Sequence, residues 1–208
     1  MHPDIQVRES AIEGRGVFAD REIPKDTALW KLTEAPGTYV TLAELKQLPV
    51  ARQRLAYRYR DRYLLSSDGS ECMNHSCDPN TYWLDDETMA ASRDIEPDEE
   101  ITFDYATNEG HPWWQEKWLC TCGAPNCRGV VSGRDCLDPA FAERYGTNLP
   151  SWTLEFMQRH AGWRGRLSWL LFVGALAARK VRAAVVPLPA DLPSSDQTPR
   201  PQEAGSAQ

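Results

Sequence analysis

Cys120, Cys122 and Cys127 stand in the spacing Cys-x-Cys-x4-Cys. Thiolates this close are ligands for a soft divalent ion. A closed structural zinc site needs four, so the segment supplies three and leaves one position to be filled from elsewhere. The bland alternative is three thiols packed as small hydrophobes. Three further segments carry side chains able to do chemistry. Asn74-His75-Ser76-Cys77-Asp78-Pro79-Asn80 offers an amide, an imidazole and a thiol; Asn74 and His75 fit either a ligand site or a buried pair that satisfies backbone polar groups. Glu100-Ile101-Thr102-Phe103-Asp104-Tyr105 reads as a strand. On a strand, Phe103 and Tyr105 share one face and Asp104 points away, although aromatic alternation is common in half-buried strands. Gly14-Arg15-Gly16-Val17-Phe18 lets backbone approach a ligand with no Cβ in the way; a lone Gly-x-Gly more often marks a plain turn.

The elements that must hold these residues are short. Ile5-Gln6-Val7, Val17-Phe18-Ala19, Ala28-Leu29-Trp30, Tyr63-Leu64-Leu65, Thr81 to Leu84 and Met89-Ala90-Ala91 are strand-like. Pro24-Lys25-Asp26, Asp68-Gly69 and Asp78-Pro79-Asn80 are turn signals. Thr41-Leu42-Ala43-Glu44 has the spacing of a capping box, with Leu42, Leu45 and Leu48 supporting a short helix. Pro139 to Tyr145 and Leu154 to Arg159 read as helices.

Leu167 to Ala178 is an apolar run too short to span a bilayer. Arg164, Arg166, Arg179, Lys180 and Arg182 flank it, and Trp163 and Trp169 sit near its start. Docking on its own domain is the favoured expectation, ahead of membrane-surface contact or dimerisation; the oligomeric state is open. Pro187 to Gln208 is poor in large apolar residues and reads as a disordered tail.

The 208 residues suit one compact domain with flanks, and the net charge is −7. Residues 61–110 hold 14 Asp/Glu against two Lys/Arg, whereas 156–186 hold six Lys/Arg and no acid. The acidic middle disfavours nucleic acid as a direct partner and would attract a cationic peptide, unless it is only a solvated face. Residues 1–30 carry charges throughout and no apolar signal-peptide core. The expectation is an intracellular protein, cytoplasmic or nuclear rather than secreted, whose six cysteines are ligands or free thiols, not disulfides.

In their order along residues 14–127, the four segments resemble those of SET-domain protein-lysine N-methyltransferases with a post-SET zinc motif. The resemblance implies a mainly β fold with short helices: small curved sheets, a threaded C-terminal segment, a zinc-bound post-SET lobe and C-terminal helices. It divides the chain into a SET domain (1–110), a post-SET zinc segment (111–135), a helical extension (136–186) and the tail (187–208). It implies S-adenosylmethionine as cofactor, held by Gly14, Arg15, Gly16, Asn74, His75 and Tyr105, and a structural zinc whose fourth ligand, beside Cys120, Cys122 and Cys127, is Cys77. Tyr105 takes the catalytic position, orienting methyl group and amine, and Phe103 the position that influences how many methyl groups fit. The implied partner is a basic, lysine-containing protein, a histone among the candidates. Glu71-Cys72-Met73 depart from the Arg and Phe many relatives carry there, and Cys72 and Cys136 match no family position. The alternatives are a catalytically inactive SET domain acting as a binding module, or a zinc-stabilised scaffold.

Overall fold

The computed structural model describes residues 1–108 and 118–160. The strands run β1 (Ile5–Glu9), β2 (Arg15–Ala19), β3 (Ala28–Lys31), β4 (Gly37–Thr41), β5 (Ala56–Tyr59), β6 (Arg62–Ser66), β7 (Thr81–Trp83), β8 (Thr88–Ala91), β9 (Glu100–Ile101), β10 (Trp118–Leu119) and β11 (Val130–Val131). The α-helices are α1 (Leu42–Leu45), α2 (Val50–Gln53), α3 (Pro139–Tyr145) and α4 (Ser151–His160). The strands form small antiparallel sheets in the orders β1-β2-β9, β3-β8-β7 and β4-β6-β5, with β10 and β11 as a separate pair. The fold is mainly β, as expected.

Local chemistry explains the punctuation. Thr41 and Glu44 form the capping box that starts α1: the Glu44 N–H donates to Thr41 Oγ1 (3.3 Å) and the Thr41 N–H to Glu44 Oε2 (2.7 Å). Asp26, ending the Pro24 turn, takes φ 65°, a left-handed conformation that Asp tolerates better than most side chains. Asp138 caps α3 ahead of Pro139, through the Ala140 N–H at 2.8 Å. Helix α4 begins at Ser151, three residues before the expected Leu154, because Asp86 accepts both the N–H and the hydroxyl of Ser151 (2.6 and 2.7 Å).

Two apolar clusters matter to the site. The larger joins Val17, Leu29, Trp30, Leu64, Trp83, Met89 and Ile101 with Tyr57 and Phe103. The other packs α3 and α4 through Phe141, Tyr145, Phe156 and Met157 against Ala106 and Cys136. Cys136 is fully buried and Cys72 partly so, and neither forms a disulfide.

The expected strand Glu100–Tyr105 is a correction. Only Glu100–Ile101 pair in a sheet, and Tyr105–Thr107 form a 3-10 turn. Side chains take over the backbone between them. Asn80 Oδ1 accepts the Thr102 N–H (2.9 Å), Thr81 Oγ1 donates to Thr102 O (2.8 Å), and Asp104 caps the turn through the Ala106 N–H (3.1 Å). Asn74–Ser76 run parallel to Phe103: the Phe103 N–H donates to Asn74 O and the Ser76 N–H to Phe103 O, both at 3.2 Å. The apolar run 167–178 and the tail 187–208 lie outside the described residues, as does most of the start of the post-SET segment. No helix among the described residues is long and apolar enough to cross a membrane.

Candidate active site and metal centre

A cavity of about 540 Å³ collects residues from all four sequence segments. Gly14 and Arg15 enter it from the β1–β2 turn, and Asn74 and His75 from the loop before β7. Phe103 and Tyr105 enter from the segment after β9, and Leu119 to Cys122 from the cysteine lobe. Leu55, Ala56 and Tyr57 complete it opposite. Its size falls within the range of small-molecule sites, about 300–1,000 Å³. Thr121 Oγ1 donates to Ile12 O (3.2 Å), joining the cysteine lobe to the glycine turn.

Asn74 shapes the glycine turn. Its Nδ2 lies 3.1 Å from Glu13 O and from Arg15 O, the carbonyls on either side of Gly14, and 2.8 Å from Glu100 Oε1. Gly14 takes φ 49°, a conformation that favours glycine. Gly16 is required by close approach: a Cβ there would lie 2.2 Å from Glu100 Oε1, and that carboxylate is held by Ser10 Oγ at 2.8 Å. Gly16 itself does not line the cavity; it sets the turn that does.

His75 is buried, and burial pushes its pKa down to about 4, with Asp104 opposing and Arg128 adding to the shift. It is neutral near pH 7. The Tyr105 N–H donates to Nδ1 (3.2 Å), which puts the ring proton on Nε2, 3.3 Å from Cys77 Sγ. A ring so committed is a scaffold, not a general base. It packs edge-on to Tyr105, with ring centroids 5.2 Å apart.

Phe103 and Tyr105 meet at 4.7 Å between centroids, and Tyr57 lies 5.6 Å from Phe103. The two therefore line one cavity even though the i, i+2 strand argument fails; the turn at Asp104 brings Tyr105 back beside Phe103. The Tyr105 hydroxyl donates to Met73 O (3.0 Å) and the Tyr57 hydroxyl to Ser70 O (2.6 Å), so both rings lean on residues 70–73. Tyr57 was missed in the sequence; its signal is the apolar and aromatic pairing of Ala56-Tyr57 with Leu64-Leu65 across β5 and β6. Glu71 and Cys72, where the chain departs from the family pattern, also line the cavity.

The sulfurs of Cys77, Cys120, Cys122 and Cys127 lie within 4.8 Å of one another, and Cys77 and Cys120 are 3.8 Å apart. Four sulfurs about 2.3 Å from a tetrahedral zinc are about 3.8 Å apart, so the donor set fits that ion. Backbone amides already face the sulfurs: Arg128 N–H on Cys77 (3.3 Å), Gly129 N–H on Cys127 (3.4 Å) and Cys77 N–H on Cys122 (3.5 Å). Burial pushes the Cys122 thiol up, but hydrogen bonds from the Cys77 and Ala124 amides and the neighbouring cysteines outweigh it and bring its pKa to about 7.

Asp104 points away from the cavity, as expected, but into a buried hub that sequence reasoning missed. It is 1% exposed. Arg128 grips it with two hydrogen bonds, Nη1 to Oδ2 (2.8 Å) and Nη2 to Oδ1 (2.6 Å), and the Tyr145 hydroxyl donates to Oδ2 (2.8 Å). Arg144 donates to Cys77 O (2.9 Å) and to Asp78 (2.6 Å). The chain after the cysteines is thus tied to the loop that begins at Asn74.

Residues 14–106 match the family model of the SET domain. The histone-lysine N-methyltransferase ash1 of Drosophila melanogaster is 34% identical over 154 residues, covering 64% of this chain and 6% of that protein. An H3 lysine-36 specific histone-lysine N-methyltransferase of Mycosarcoma maydis is 28% identical over 150 residues, covering 65% of this chain and 15% of its own length. The crystal structure of KRYPTONITE in complex with mCHG DNA and SAH superposes with a TM-score of 0.47 at 21% identity, covering 61% of this chain and 28% of that one. Over residues 14–106 this chain is similar to a SET domain. The chain spans only a small fraction of the length of these two curated relatives.

Proposed function

We propose that the chain is an S-adenosylmethionine-dependent protein-lysine N-methyltransferase acting on a basic protein segment, a histone tail among the candidates. The observation that carries this reading is the convergence of Gly14, Arg15, Asn74, His75, Phe103 and Tyr105 on one cavity beside the four-cysteine site. The relatives named as histone-lysine N-methyltransferases support it.

When bound, the cofactor supplies a methyl group already activated by a sulfonium; the protein's part is to hold, align and dry the reactants. The glycine turn, fixed by Asn74, and the His75 edge form the cofactor end. Tyr57, Phe103 and Tyr105 form an aromatic wall where a lysine side chain loses water, which disfavours its ammonium and lowers its pKa. The Tyr105 proton is engaged by Met73 O, so toward the cavity the phenol oxygen acts as an acceptor that orients the amine. Zinc held by Cys77, Cys120, Cys122 and Cys127 would fix the wall formed by Leu119 to Cys122. The acidic middle of the chain suits a cationic substrate.

The test is transfer of labelled methyl from S-adenosylmethionine to a panel of basic proteins, histones included, with the labelled residue identified by mass spectrometry. Label on lysine is expected. Cofactor binding with no label on any protein would replace this reading with the inactive binding module.

A further inference from the structure

The Asp104 hub sits behind the catalytic candidate; neither Asp104 nor Arg128 lines the cavity, although Asp104 Oδ1 lies 3.7 Å from His75 Nδ1. Its geometry nonetheless determines where Tyr105 sits. Asp104 Oδ1 accepts the Ala106 N–H and so starts the 3-10 turn whose first residue is Tyr105. The carboxylate is fixed from the far side by both Nη atoms of Arg128 and by the Tyr145 hydroxyl. Arg128 is in turn fixed twice: its backbone N–H donates to Cys77 Sγ (3.3 Å), and its Nε lies 3.1 Å from Asp135 Oδ2. Tyr145 is anchored by α3, against Phe141 at 4.5 Å between ring centroids. One carboxylate therefore joins three parts of the chain: the cysteine lobe through Arg128, the helical extension through Tyr145 and the reactive turn through Ala106.

Resting on the methyltransferase reading above, we infer that Arg128 and Tyr145 are positioning residues for the reaction, acting through Asp104 to set the Tyr105 hydroxyl against the cavity. The alternative, a merely structural ion pair, would hold the domain together without affecting the turn. Charge supports the stronger statement. Asp104 is 1% exposed, and a buried carboxylate without its partner must find another cation or draw in water. The peptide that links Asp104 to Tyr105 lies next to that carboxylate, and Tyr105 meets the His75 ring through its N–H, the Asn108 N–H through its carbonyl and Met73 O through its hydroxyl. Burial and the charge of Asp104 raise the Tyr145 pKa, so its hydroxyl remains a donor.

The experiment uses the full chain with its metal, as parent, Arg128→Met, Arg128→Lys and Tyr145→Phe, each also prepared with 3-fluorotyrosine at position 105. Turnover, peptide KM, S-adenosylhomocysteine affinity, metal content and thermal midpoint are measured together, well below the lowest midpoint. The inference expects Arg128→Met to lose about 10²-fold in kcat, the scale of a small misplacement of reacting groups. It expects KM and cofactor affinity to stay within about threefold, metal content to be unchanged and the fluorine resonance to shift or broaden. Arg128→Lys keeps one charged contact and recovers part of the rate; Tyr145→Phe loses less than Arg128→Met. A kcat within about threefold of parent, or a loss carried wholly by KM, would overturn the inference. So would a fluorine signal identical to parent in Arg128→Met. If the parent itself transfers no methyl, the functional reading fails, and the fluorine signal alone decides whether the hub sets Tyr105.

Discussion

Stripping the metal should disable the cavity while leaving the domain folded. The loop 119–128 has little apolar burial of its own: Leu119 is 80% exposed, and no residue from 119 to 128 belongs to an apolar cluster. Ordering that loop costs roughly 10–20 kcal/mol at about 1–2 kcal/mol per residue. A structural zinc site contributes about 10–16 kcal/mol. The two match, so the loop holds with the ion and opens without it. Apart from the Arg128–Asp104 contact, most of the fold is built without the loop. The larger cluster is built from residues before 104, and α4 is tied independently by Trp152 Nε1 to Asn108 O (3.2 Å) and Thr153 Oγ1 to Thr107 O (2.9 Å). Opening the loop removes one cavity wall and takes Arg128 from Asp104, a loss of about 3–5 kcal/mol for a buried pair broken on one side. The assay is titration of the purified chain with a strong zinc chelator, following metal content, far-UV circular dichroism and S-adenosylhomocysteine affinity. The expected result is release of one zinc per chain, a largely retained dichroism spectrum and affinity lower by on the order of 10²-fold, about 2.7 kcal/mol. Full cofactor affinity in metal-free protein, or no metal in protein as purified, would refute the reasoning.

Other outcomes follow from single contacts. Tyr105→Phe keeps the ring and loses the hydroxyl that meets Met73 O; turnover should fall by about 10²-fold or more with cofactor affinity nearly unchanged, measured on one preparation. Phe103 carries no hydroxyl beside the amine, so the products should extend past monomethyl-lysine, and Phe103→Tyr should shift them toward monomethyl in peptide mass spectra. Asn74→Ala frees both carbonyls around Gly14 and should weaken cofactor binding by about tenfold or more, a loss of about 1–3 kcal/mol, as read by calorimetry.

Local signals in the sequence were legible and distant ones were not. The Thr41–Glu44 capping box spans three residues and its chemistry is complete within them, so α1 could be read directly. The Cys-x-Cys-x4-Cys spacing could be read as three ligands for the same reason, but the position of Cys77 beside them came only through the resemblance; the structure shows the two segments meeting. The strand expected over Glu100–Tyr105 failed because Asn80 and Thr81 side chains replace its backbone partners, which no periodicity records. Asp104 was read only as pointing away. Its partners Arg128 and Tyr145 lie 24 and 41 residues further on, and pairing at that separation leaves no local pattern. Strands β4 and β5 went unread because Gly37–Thr41 and Ala56–Tyr59 mix polar and apolar residues; they become strands by pairing on either side of β6.

The most direct test of the account is a crystal structure of the full chain with zinc, S-adenosylhomocysteine and a lysine peptide that it methylates. The account predicts the cofactor product against Gly14, Asn74 and His75, one zinc among Cys77, Cys120, Cys122 and Cys127, and the lysine amine at the Tyr105 hydroxyl beside Phe103. A cofactor bound outside this cavity, or a lysine that enters it without approaching Tyr105, would contradict it.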